Sequence, residues 1–173
     1  SGFSASNNLT RASDADWDEM GTGSFYISMW LKSSGVGATE DLFSWSNGDS
    51  TLTFYVNLYS DGKIRIIDDG ATAQVVPATA GPLVDDGVWH KVDVLRVSST
   101  ERYIYIDSIL VTSNTTDSGS ISSSGNQPLW IGVNQDGSSN PALTSTLSLI
   151  RLSATIPNAT QVRKMYDAEK GMF

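Results

Sequence analysis

The sequence predicts an all-β protein: an antiparallel two-sheet sandwich with one short C-terminal helix. Three observations predict it. Apolar and polar residues alternate with period two over most of the chain. The alternating runs are short, rich in β-branched and aromatic residues, and punctuated by Gly, Asn, Asp and Ser. One final segment alone shows helical spacing.

The runs follow in order. "FYISMWLK" (Phe25–Lys32) sets Phe25, Ile27, Met29 and Leu31 on one face, against Tyr26, Ser28, Trp30 and Lys32. "TLTFYVNLY" (Thr51–Tyr59) sets Phe54, Val56 and Leu58 against Tyr55, Asn57 and Tyr59. "KIRII" follows an Asp61-Gly62 turn, a strong hairpin signal. "VWHKVDVLRV" (Val88–Val97) and "RYIYIDSILV" (Arg102–Val111) form the next pair, then "PLWIGV" (Pro128–Val133) and "STLSLIRLSA" (Ser145–Ala154). In "NATQVRKMYDAEKG" the residues Val162, Met165 and Tyr166 make an apolar helical stripe. Asn158 with Gln161 reads as a capping box, and Gly171 as the C-cap. The polar stretch Thr112–Gln127 reads as a surface loop.

Length and composition bound the function. With 173 residues the chain suits one domain, residues 1–173, with a core large enough to need no staples. It has no cysteine, which excludes thiol catalysis, disulfides and thiolate metal sites. A net charge of −8 without a basic stripe argues against nucleic acid. No apolar run is long enough to enter a bilayer as a helix. No signal peptide or initiator Met opens the chain, so the expectation is a piece of a longer protein. Matches to the glycosylation sequon, as at Asn114-Thr115-Thr116, come cheaply in so Ser/Thr/Asn-rich a chain.

"DDGVWHKVDVLR" followed by "YIYIDSILV" resembles the central signature of the laminin-G-like branch of concanavalin A-like lectin/glucanase domains. There a Trp-His pair opens a strand and an aromatic-x-Asp-Gly hairpin follows. Here Asp107-Ser108 stands in place of Asp-Gly. "GTGSFYISMWLK" is similar to the family's early strand, and the stretch from "PLWIGV" to "EKGMF" to its ending. "FSASNNLTRASDADWDEMGTGSF" and "EKGMF" are similar to versions in bacteriophage structural and tail proteins. The resemblance implies a jelly roll, a framework role for His90, and a virion or extracellular setting. It also implies one calcium ion at a rim loop. Asp68 and Asp69 are the first candidates for its oxygen ligands. The bland reading of those acids is a solvated turn.

Enzymatic function is disfavoured. Relatives that hydrolyse glycosides need two carboxylates across the bond, expected here as Glu-x-Asp-x-Glu on a strand, and no such run exists. His90 is the only histidine, with no second histidine and no recognisable nucleophile motif. The leading expectation is a non-catalytic, lectin-like module engaging bacterial surface polysaccharide. Sugar binding asks for aromatic faces with amides and carboxylates beside them. Tyr55, Asn57 and Tyr59 offer such a row, as the sheet's outer surface or as a second packed layer, which Trp45, Asp68 and Asp69 complete if their loops fold toward it; the loop carrying Asn134 and Asp136 is the other location for the site. Trp30 and Trp89 are assigned to the core, while Trp45 and Trp130 divide evenly between core and site. The alternative is a structural, decoration or oligomerisation domain, joined to other domains of a larger virion protein and without a small ligand.

Overall fold

The structure is a computed structural model, and it describes residues 9–11, 23–45, 53–69, 73–77, 81–117, 128–133 and 143–173. In chain order the described strands are β1 (Leu9–Arg11), β2 (Phe25–Lys32), β3 (Glu40–Trp45), β4 (Thr53–Leu58), β5 (Ile64–Asp69) and β6 (Ala73–Pro77). There follow β7 (Trp89–Ser98), β8 (Glu101–Ile106), β9 (Ile109–Asn114), β10 (Leu129–Ile131) and β11 (Thr146–Ser153). The helix α1 (Ala159–Glu169) and a 3₁₀ turn (Lys170–Met172) complete them. Among the described residues the strands make a six-stranded sheet, β1-β10-β3-β4-β5-β6, and a five-stranded sheet, β11-β2-β7-β8-β9. Neighbours pair antiparallel throughout.

Alternation supplies the core. Phe25, Ile27, Met29 and Leu31 of β2 meet Phe43, Phe54, Val56, Leu58 and Ile66 of the facing sheet. Phe25 and Phe54 touch edge to face, their ring centroids 4.7 Å apart. Each such side chain stabilises the sandwich by about 1.5–3 kcal/mol relative to exposure.

The turns follow their residues. Gly62 takes φ 75°, and its amide donates to Tyr59 O at 2.9 Å. A Cβ there would also meet Asp85 Oδ1 at 2.2 Å, so only glycine fits. Between β8 and β9 the run read from Arg102 to Val111 folds back at Asp107 and Ser108, with φ 51° and 70°. Ile106 pairs Ile109 across that two-residue turn, so serine keeps the tight hairpin that Asp-Gly would make. The strands β1, β3 and β6 carry no alternation long enough to have announced them.

The helix begins as its residues dictate. Asn158 Oδ1 accepts from Gln161 N at 3.0 Å, and Gln161 Oε1 accepts from Asn158 N at 2.8 Å. Its end departs from expectation: Lys170 is the C-cap, in a right-handed conformation, and Gly171 lies inside the 3₁₀ turn. Val162 is fully buried against Tyr26, Leu95 and Tyr105, on the outer face of the five-stranded sheet. Trp30 is buried as expected, but beneath the helix rather than between the sheets. It stacks on Tyr166 and on Phe173, and its indole donates to Glu169 Oε2 at 2.8 Å. Trp89 is half-buried against Phe173 rather than in the core.

Truncation after Ser153 would uncover Tyr26, Trp30, Leu95 and Tyr105 together. A loss of several kcal/mol is expected, read as a fall in the urea midpoint of unfolding. A truncated chain that unfolds at the parent's midpoint contradicts this anchoring.

Candidate functional site

With α1 on the five-stranded sheet, the outer face of the six-stranded sheet is the one the helix leaves free. Register decides which side chains it carries. Leu129, Ile131, Phe43 and Trp45 point inward to the core. Trp130 and Ser44, opposite each other between them, therefore point outward. Tyr55 stands opposite Ser44 on the next strand, and Ile67 beyond it. The next row along is Asp41, Asn57 and Arg65.

The first row is a slot whose floor is closed, because Ser44 is 0 % exposed. Trp130 and Tyr55 flank the small Ser44, whose hydroxyl donates to Val133 O at 3.3 Å. Two strand spacings set the flanking side chains roughly 10 Å apart at their roots. Trp130 and Tyr55 are half-buried, and the Trp130 indole N–H is enclosed with no hydrogen-bond partner.

The second row is more polar and more closed. Asn57 is 2 % exposed, and its Nδ2 donates to Asp41 Oδ1. Its Oδ1 and Arg65 Nε are buried without partners. At the end of the row the Arg65 guanidinium lies 3.8 Å over the Tyr59 ring, and its Nη2 donates to Asp61 Oδ2 at 2.6 Å.

The expected Tyr55-Asn57-Tyr59 row does share the outer face, but as three environments. Tyr55 borders the slot, Asn57 is locked down, and Tyr59 carries arginine on its ring. Trp45 is a correction: at 1 % exposure it belongs to the inter-sheet core and offers no face to a sugar. Asn134 and Asp136 lie outside the described residues. The polar outward neighbours Asp41 and Arg65 were missed. They come from strands whose alternation is broken by a bulge at β3 or shortened by the turn before β5.

Asp68 is a second correction. It is 0 % exposed and points into the core from β5. Arg96 Nε donates to its Oδ2 at 3.0 Å, and Arg102 Nε donates to the same oxygen. Two buried cations at one carboxylate oxygen repel a third, so the residue does not fit a calcium site. Asp69 is described only in its backbone. Among the described residues no group of three or more His, Asp or Glu side chains gathers as a metal site. Removing one partner of a buried ion cluster leaves charge uncompensated. Asp68→Ala is therefore expected to cost about 3–5 kcal/mol in chemical denaturation.

His90 sits at the rim between two carboxylates. Nδ1 is 2.7 Å from Asp107 Oδ2 and Nε2 is 3.2 Å from Asp86 Oδ1. Asp107 Oδ1 also accepts from Lys91 N at 2.8 Å, so the pair fastens the β8–β9 turn to β7. This is the framework role expected of it. The Asp107 hydrogen bond raises the His90 pKa above its ordinary value, against the opposing effect of burial. A neutral imidazole can donate to only one of the two carboxylates. The stabilisation is therefore complete below about pH 6.5 and is lost as pH rises through the raised value. Thermal unfolding across pH 5–9 is expected to show that loss, and His90→Gln to flatten it while costing about 1–3 kcal/mol at low pH.

Comparison with known proteins agrees with this architecture. A laminin-G family model described as the concanavalin A-like lectin/glucanases superfamily matches residues 4–163. No curated protein matches the sequence. Among solved structures, the binding domain of Paraclostridial Mosquitocidal Protein 1 superposes with a TM-score of 0.72 at 12% identity, over 96% of this chain and 42% of that one. The NanB sialidase of Streptococcus pneumoniae gives 0.71 at 18% identity, over 94% and 26%. Domain 4 of the AbnA arabinanase of Geobacillus stearothermophilus, solved with arabinotriose, gives 0.66 at 16% identity, over 84% and 67%. The chain thus spans 42% of the first and 26% of the second, and at these identities the likeness is one of fold.

Proposed function

Because the chain belongs to the concanavalin A-like lectin/glucanase superfamily, we propose that it is a non-catalytic glycan-binding module whose site is the Trp130–Ser44–Tyr55 slot. One observation carries the reading: two half-buried aromatics, Trp130 and Tyr55, stand in one row over the buried Ser44 on the sheet face the helix leaves free. The aromatic faces take the apolar side of a pyranose. The fold neighbours support the class, since AbnA domain 4 was solved with arabinotriose and a botulinum neurotoxin type C neighbour is described through two ganglioside molecules.

The glycan we infer is a bacterial surface polysaccharide, and the setting an extracellular one on a phage particle. The similarity of the chain's two ends to phage tail proteins supports that setting. Asn134 and Asp136, just beyond Val133, are candidate hydroxyl ligands, and a calcium ion held by residues other than Asp68 is part of the same proposal. A second reading, an interaction domain of the particle, is favoured by Ile109 and Leu110, exposed on the edge strand β9.

The experiment is a glycan array at millimolar sensitivity, followed by calorimetry on its best ligand. Trp130→Ala and Tyr55→Ala are each expected to weaken binding about tenfold, which is about 1.4 kcal/mol. Tyr59→Ala is expected to change it little. A folded double variant at Trp130 and Tyr55 that binds as the parent does overturns the assignment. A silent array, with concentration-dependent association lost in Ile109→Lys, favours the second reading.

A further inference from the structure

A cleft of about 760 Å³ opens between α1 and the edge strand β11, on the opposite sheet from the slot. Its exposed lining is mostly apolar: Met165 from the helix, Pro157 from the connection, Tyr26 from β2, and Ile150 and Leu152 at the edge of the strand, where they also pack against the inter-sheet core, with Ser153, Thr155 and Gln161 among them. That volume lies in the range of small-molecule sites.

The strand wall is deliberately irregular. Ser148 pairs Trp30 and Arg151 pairs Ser28, so Leu149 and Ile150 together oppose the single residue Met29. A regular strand would carry Arg151 toward the core. The bulge instead returns it to the helix side, where it lines the cleft beside Ile150. This arrangement holds Leu149 at φ 46° and 39 % exposed, a left-handed conformation that leucine rarely adopts. Strain of this kind persists where the surrounding structure has a use for it.

The mouth is basic on a protein of net charge −8. Lys164 and Arg151 both line it. Arg151 Nη1 is held by Glu169 Oε1 at 2.7 Å, while among the described residues no carboxylate pairs with Lys164. An apolar trough ending at an unpaired ammonium complements a ligand with an apolar body and one anionic head.

We propose that this cleft is a second binding site, for a small amphipathic carboxylate: an acyl chain or comparable apolar body along Ile150, Leu152 and Met165, with its carboxylate on Lys164. Arg151, already shared with Glu169, orients the head without neutralising it fully. The site uses none of the residues of the glycan slot.

Octanoate is the probe, followed by amide NMR shifts of the whole chain, with octanol as the uncharged control. Octanoate is expected to shift the amides of residues 150–153 and 161–165 at concentrations up to about 10 mM, where weak binding of this class registers. Lys164→Glu is expected to weaken octanoate about fivefold, the size of one partly exposed charge pair, and to leave octanol unchanged. Lys164→Gln gives the same direction if the charge reversal disturbs the helix. Thr155→Trp, at the exposed rim, is expected to narrow the cleft and weaken both probes. No localised shifts, octanol binding as tightly as octanoate, or a folded Lys164→Gln that binds octanoate as the parent does would each overturn the proposal.

Discussion

The sandwich depends on one buried ionic junction. Asp68 reaches inward from the six-stranded sheet, and Arg96 and Arg102, directly paired across β7 and β8, reach inward from the other. Three further nitrogens bond backbone: Arg96 Nη1 to Gly23 O, and Arg102 Nη1 and Nη2 to Thr116 O and Ser99 O. One carboxylate thus joins both sheets to the segments that leave the ends of three strands. Such a cluster is not a cheap source of stability, because desolvation offsets most of its attraction. What it supplies is register. Apolar side chains tolerate a slip of one sheet over the other, whereas a carboxylate that must meet two guanidiniums does not.

A second polar layer lies under the helix. Tyr26 donates to Asp93 at 2.5 Å, and Lys91 Nζ donates to the same oxygen at 2.9 Å. Burial and the Asp93 charge push the Tyr26 phenol far above its usual pKa, so it acts only as a donor. Glu169 holds Trp30 from one side and Arg151 from the other. The five-stranded sheet is therefore buried on both faces at its centre, apolar inside and hydrogen-bonded outside. That cover leaves recognition to the other sheet and to the margin of the helix itself.

Much of this was legible in the residues. Period-two runs placed β2, β4 and β7 and their inward faces. Asn158 with Gln161 placed the helix start, and the isolation of His90 pointed to a framework role that its two carboxylates bear out. What alternation cannot reveal is what lies against the outward face. Trp30 is assigned to the core by its residue type, yet it lies on the outward face of β2, covered by a helix more than a hundred residues later in the chain. Nor does it distinguish a buried aspartate from a hydrated one. Asp68 and Asp69 look like a turn pair, yet the first is a core ion whose partners are 28 and 34 residues away. Trp45 failed for a similar reason, since β3 is buried along its whole length and shows no alternation to mark its faces.

Unpaired polar atoms carry the remaining argument. Folded proteins leave few buried donors or acceptors unsatisfied, so each one needs a reason. Asp68 Oδ1 and Asp93 Oδ2 belong to carboxylates already held through their other oxygen. Asn57 Oδ1, Arg65 Nε and Trp130 Nε1 are different: they lie on the outer face of a single sheet, on three strands, as one acceptor and two donors. Each is sealed from solvent in this structure, so a ligand of any class reaches them only where the cover over that face opens.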